Sequence, residues 1–145
     1  MSKTNTYENE LLLHIFNNAA IALLGDASGV LGSATAGSLY VSLHTADPGE
    51  AGNQSTSEIT YTSYARVAIA RSGAGWVVTG NTVNPAATIF FPTGTGGSGT
   101  ATHFGVGCSS SGAGKLLYKG AITPNIVCGN TITPELSTAT NITED

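Results

Sequence analysis

Charged side chains are what this 145-residue chain has least of. Only 10% of its residues are Asp, Glu, Lys or Arg, nine acids against five bases, for a formal net charge of −4. The bases Lys3, Arg66, Arg71, Lys115 and Lys119 form no dense run, so the chain is not expected to hold nucleic acid. Cysteine is nearly absent. Cys108 and Cys128 are too few for a disulfide framework and are not spaced as a zinc knuckle; buried free thiols are the simpler reading beside one bridge. No stretch approaches a membrane span, and the start MSKTNTYENE lacks an apolar signal region. No membrane role is expected, and the cytoplasm of the maker is the expected place of synthesis and use.

Glycine, at 19 residues, is plentiful, and Ser and Thr abound. That balance suits strands and turns better than helices. The length corresponds to one domain with a sizeable core. A surface with so little mixed charge is poorly protected against association, so part of it is expected to be covered by other subunits in a homo-oligomer.

One helix is predicted. From Thr6 to Leu24, the apolar residues Leu12, Ile15, Phe16, Ala19 and Leu23 recur at three- and four-residue steps, an amphipathic stripe. Asn5 or Thr6 can cap its start, Glu8 and Glu10 suit its positive end, and Gly25 can close it. Residues 25–38, GDASGVLGSATAGS, form a small-residue connection without periodicity.

The stretch Leu39 to Arg66 organises the rest of the chain. Leu39-Tyr40-Val41-Ser42-Leu43 alternates as a strand, His44 to Gly49 stops it through Asp47-Pro48-Gly49, and a strand resumes at Tyr64. Strands are predicted near 39–44, 64–71, 76–79, 87–91, 101–107, 115–122 and 130–133, with a weaker one near 138–143. Gly73-Ala74-Gly75 reads as a hairpin turn, and 92–99 and 109–114 as exposed loops. The expected fold class is therefore mainly β: an N-terminal amphipathic helix followed by a seven- to eight-stranded β-sandwich, jelly-roll-like or immunoglobulin-like. Its expected division is helix and arm at 1–38, sandwich body at 39–133, and a tail or partner-pairing arm at 134–145.

Reactive clusters are hard to assemble. Ser109 to Lys115 lacks the first Gly of a phosphate loop, and Leu116 stands where Ser or Thr should hold magnesium. His14, His44 and His103 show no metal-ligand spacing; His44 and His103 are expected to bond loop backbone at strand ends. No serine elbow and no facing carboxylate pair stands out, Asp47 and Glu50 being only nominal. No catalytic residue, cofactor or metal is expected. Arg66 and Lys119 are expected to meet solvent or a partner. Trp76 and Tyr61 are the candidate exposed aromatics for a carbohydrate-binding module, with Trp76 read rather as core.

The segments LYVSLHTADPGEAG, SYARVAIAR, NPAATIFFPTGTGG, ATHFGVG and GKLLYKGAI resemble a family of small virion proteins of tailed bacteriophages, labelled tail-fibre or decoration proteins. The resemblance spans Leu12 to Thr133 and implies an N-terminal helix, a β-rich body and a structural role in a virion assembled in the host bacterial cytoplasm. The first expectation is a capsid decoration or cement protein binding the major capsid protein and copies of itself. The second is a tail or fibre-associated adaptor binding tail proteins. Asp47, Glu50, Arg66 and Arg71 are the candidate interface residues, with solvated surface as the alternative for each.

Overall fold

In the computed structural model, which describes residues 2–145, the amphipathic stripe forms α1 (Asn5–Asn17) and buries Leu12 and Phe16 one turn apart. Phe16 meets Trp76 edge to face, with ring centroids 4.8 Å apart. The helix stops at Asn17 and not at Leu24 as predicted. Asn18 adopts the left-handed conformation at φ 57°, and the Ala19 N–H donates to Leu13 O at 3.1 Å, a closure that Asn tolerates better than most residues. Its start departs too: Thr4 is the N-cap and makes no side-chain capping bond.

Arg71 completes the ending. Its Nε donates to Ile15 O and its Nη2 to His14 O, both at 2.7 Å, while Nη1 reaches Ala36 O at 3.1 Å. A cation thus sits where the last helical carbonyls have no intrahelical partner. The predicted continuation through Leu23 and Leu24 is instead an exposed arm.

Nine strands follow: β1 (Ser38–His44), β2 (Val67–Ala70), β3 (Trp76–Thr79), β4 (Thr82–Pro85), β5 (Ile89–Phe90), β6 (Ser98–Gly107), β7 (Leu116–Gly129), β8 (Glu135–Leu136) and β9 (Ile142–Thr143). They form three sheets, ordered β2-β1-β6-β7, β3-β4-β9 and β5-β8. The fold is mainly β with one N-terminal helix and antiparallel sheets, consistent with a β-sandwich.

Several predicted boundaries move. The turn at 73–75 joins strands of different sheets, so it closes no hairpin between β2 and β3. A hairpin occurs instead between β3 and β4, where Gly80 at φ 59° supplies the positive φ that a two-residue turn needs. No strand is expected at β4 from the sequence. Residues 130–133 are no strand; their place is taken by β8, which pairs Ile89 with Leu136. Nor are 92–99 a free loop, since Gly94 donates to Ile132 O at 2.9 Å and Thr62 to Gly96 O at 2.9 Å.

Two compact units interleave along the chain, one of residues up to Ser38 with Ile69–Thr88 and Ser137–Asp145, the other of Leu39–Ala68 and Ile89–Leu136. One boundary between them falls after Ser38. The first has Leu12, Phe16, Ile21, Trp76 and Val83 as its buried apolar residues. There β9 pairs with β4, and Lys3 meets Glu144 at 3.1 Å, so the C-terminal residues lie docked on their own chain. In the second unit, β1 and β6 are the inner strands, in register from Tyr40↔Gly107 to His44↔His103. Val41, Leu43, Phe104 and Val106 are among its buried residues.

Arg71→Ala should therefore lower stability by about 2 kcal/mol, because three buried or half-buried carbonyls lose a charged donor. Urea denaturation checks this, and Arg71→Lys, lacking the planar fork, should recover only part of the loss.

Candidate assembly surface

The loop between β1 and β2 is held by an ion pair. Arg66 Nε and Nη2 donate to the two carboxylate oxygens of Glu58 at 2.7 Å each, a two-pronged match of planar groups. The side chains are 2% and 16% exposed. The remaining donors of Arg66 reach Ser109 O at 2.9 Å and Gly112 O at 2.7 Å. Tyr64 adds to the cluster: its hydroxyl donates to Glu58 Oε1 at 2.9 Å and accepts from the Leu43 N–H at 3.0 Å. Burial pushes the Tyr64 phenol far above its ordinary pKa, and the Glu58 bond raises the Arg66 guanidinium further above its own.

Gln54, fully buried, ties the same two loops. It accepts from the Ser109 N–H and gives its own backbone N–H to Gly114 O, each at 2.9 Å. The serine- and glycine-rich turn between β6 and β7 is thus fixed by side chains from another loop. It is a hairpin loop and not a phosphate loop, as expected from its residues.

His44 is buried on β1 between two oxygens. Its Nδ1 lies 2.8 Å from Thr56 O and its Nε2 2.8 Å from Ser42 Oγ. A carbonyl only accepts, so Nδ1 carries the proton and the Ser42 hydroxyl donates to Nε2. Burial holds the ring below its ordinary pKa against the upward pull of Thr56 O and Glu58. The Ser-His contact is closed to substrate, because both residues are 0% exposed. A Cβ on Gly105 would come within 2.8 Å of both side chains, so the close packing needs that glycine. His103 differs from expectation: its Nδ1 contacts Thr102 Oγ1 at 2.9 Å and not loop backbone.

Lys119 of β7 lies 3.0 Å from Asp47 and 3.1 Å from Glu50. The Gly49 N–H and Lys119 hold the Asp47 carboxyl below its usual range, and Asp47 with Glu50 raises the Lys119 ammonium. Beside them is an open cleft of about 250 Å³ lined by Gly49, Glu50, Gly52 and Leu116 to Lys119.

A further outward feature is the arm after α1, in the first unit. Leu23 and Leu31 are 79% and 68% exposed, and Leu24 and Val30 are also open. The arm is nevertheless tied down. Ile21 and Val30 exchange two backbone bonds of 2.9 Å, the Asn18 amide bonds Ser33 N and O at 2.8 Å each, and Asp26 Oδ1 accepts from Ser28 and Gly29 N–H. Leu23 itself is held at φ 60°, a conformation that costs a leucine about 1 kcal/mol.

Of the four interface candidates, Asp47 and Glu50 stand at the surface, whereas Arg66 and Arg71 point their donors at partners within the chain. Trp76 is core, as expected; Tyr61 is not exposed, at 2%, and its hydroxyl bonds Pro92 O at 2.7 Å. Both cysteines are free, Cys128 buried but Cys108 exposed. The apolar arm was not singled out in the sequence, because its leucines continue the helical stripe. The pair Asn17-Asn18 was the available signal that the stripe ends early. Among the described residues, no three His, Cys, Asp or Glu gather as a metal site, and no helix is long and apolar enough to cross a membrane.

Comparison with known proteins gives one family. A family model described as podophage GP4 fiber I protein gp80 matches residues 2–140. No curated protein matches the chain.

Arg66→Ala should cost about 3 kcal/mol in denaturant unfolding, since it strands the Glu58 carboxylate and frees the 109–114 loop. The His44 environment sets a pH dependence. The unfolded ring titrates near 6.5 and the folded ring lower, so the unfolded chain takes up the proton first. The stability of the neutral ring is complete above pH 6.5 and is lost as pH falls from there through the folded pKa. Melting temperature should drop over that window, and His44→Asn, which keeps a donor for Thr56 O, should flatten the drop.

Proposed function

Because the chain belongs to the podophage GP4 fiber I protein gp80 family, matched over residues 2–140, and so is a phage fibre-type structural protein of the virion, we propose that it acts without catalysis, as a structural component of the tail. It is held there by burying apolar surface against a neighbouring tail protein. The observation that carries this reading is the tethered arm. Four large apolar side chains, Leu23, Leu24, Val30 and Leu31, stand exposed on it, and Asp26 is its only charged residue. Exposed leucine at positive φ does nothing for the isolated chain. Against an apolar groove it would bury area with little further loss of freedom, because the arm is already ordered.

The family's description as a fibre protein favours the tail over the capsid-decoration reading, for which nothing specific speaks. The carbohydrate-module reading loses its two aromatics to burial. Assembly in the host cytoplasm belongs to the same proposal.

Leu23→Gly and Leu31→Ser test it. Leu23→Gly relieves the backbone strain, so melting temperature should hold or rise by an amount worth about 1 kcal/mol, while Leu31→Ser should change stability by less than about 0.5 kcal/mol. Both should reduce incorporation into particles grown with the variant gene. Immunogold labelling should mark the tail; label spread over the head, or full incorporation of both variants, would refute the reading.

A further inference from the structure

Segment 137–145 lies on its sheet without being buried in it. It follows β8, whose last residue, Leu136, belongs to the second unit, and it lines the side of β4 away from β3. None of its residues is buried. Its bonds to β4 and the β3–β4 turn fall on main-chain atoms. The Asn84 amide donates to Thr138 O at 3.2 Å and to Thr140 O at 3.1 Å, and β9 sets Ile142 opposite Val83 and Thr143 opposite Thr82. Asn81 O accepts the Glu144 N–H at 2.9 Å, and the Asn81 amide donates to Glu144 O at 3.2 Å. Lys3 closes the far end on the Glu144 carboxylate and on Asp145 O.

Such a segment opens by itself. Ile142 is its only large apolar side chain, so lifting it exposes little apolar area and costs far less than unfolding the unit. A turn sets its path, with the Thr140 N–H on Ser137 O at 3.0 Å and the Ala139 N–H on Ser137 Oγ at 3.3 Å. Straightened, residues 137–141 span up to about 17 Å, which carries β9 clear of its own sheet. The slot left on β4 asks for an extended strand with an apolar residue opposite Val83 and an acid two places later for Lys3. Ile142 and Glu144 meet both demands, and they do so equally well from another copy.

We propose that neighbouring copies exchange this segment, β9 of one chain completing the β3-β4-β9 sheet of another, with the closed form as the resting state of the single chain. Each contact given up is remade with an identical partner, so exchange costs chain freedom and not bonding. On dilution the segment's own sheet is the nearest acceptor and closure wins; in an assembly the neighbouring slot competes. This stands independently of where in the virion the protein sits.

The test uses the full-length chain with the exposed Cys108 replaced by Ser. One variant carries Thr82→Cys and another Thr143→Cys, positions that face each other across β4 and β9 at a spacing a disulfide can bridge. Mixed, concentrated and mildly oxidised, the two should form a disulfide between chains that peptide mapping places at positions 82 and 143, with a yield that falls on dilution. A chain carrying both substitutions should close on itself when dilute and join to other copies when concentrated. Asn84→Asp turns an acceptor on the Thr138 and Thr140 carbonyls and should lower both cross-links about tenfold. The proposal is overturned if the concentrated variants stay separate, if the joined chains map to another pair, if the doubly substituted chain does not close when dilute, or if Asn84→Asp leaves the yields unchanged.

Discussion

The buried ion pair of Glu58 with Arg66 fixes the loops of the unit that carries Asp47, Glu50 and Lys119. Taking both charges out of water is costly, and the cost is offset because each nitrogen of the guanidinium finds an acceptor. Two go to Glu58, and others to Ser109 O and Gly112 O. The pair therefore does more than join two residues. It sets the loop after β1 against the turn between β6 and β7, and with Gln54 it turns two glycine- and serine-rich segments into a fixed platform. Asp47 and Glu50 can meet Lys119 because the loop bearing them is held at its other end.

The first unit uses the same device. Arg71 meets the last carbonyls of α1 and Ala36 O, and so fixes both ends of the segment that carries the apolar arm. In a chain with five bases, two guanidinium groups are given to internal order. The surface that results is low in charge, and the arm on it is ordered by backbone and side-chain bonds. Rigidity matters because an ordered arm loses little entropy on binding.

Much of this was legible in the residues. Alternation found β1, β3 and the start of β7, and the three- and four-residue spacing found α1. Asp47 and Glu50, named as candidates, lie at the surface. Missed were features set by partners distant in sequence. Arg66 reads as a solvent-facing strand residue until Glu58, Ser109 and Gly112 come together around it. Ser42 falls on the side of β1 opposite Leu39, Val41 and Leu43, yet it is fully buried and bonded to His44. β4 did have a local sign, Gly80-Asn81 between two short apolar runs. The helix was drawn too long because hydrophobic period alone does not register a left-handed Asn. The tail was left open between fraying and pairing with a neighbour, and pairs instead with β4 and β5 of its own chain.

If the protein is a fibre-type component that binds by burial at the tail, its number per particle is limited by the symmetry of that site and not by the area of the head. Quantitative mass spectrometry of purified virions, referenced to the major capsid protein, measures this directly. Copies on the order of tens or fewer per particle are expected. Copies in the hundreds, scaling with the major capsid protein, would contradict the tail assignment and return the protein to the head surface.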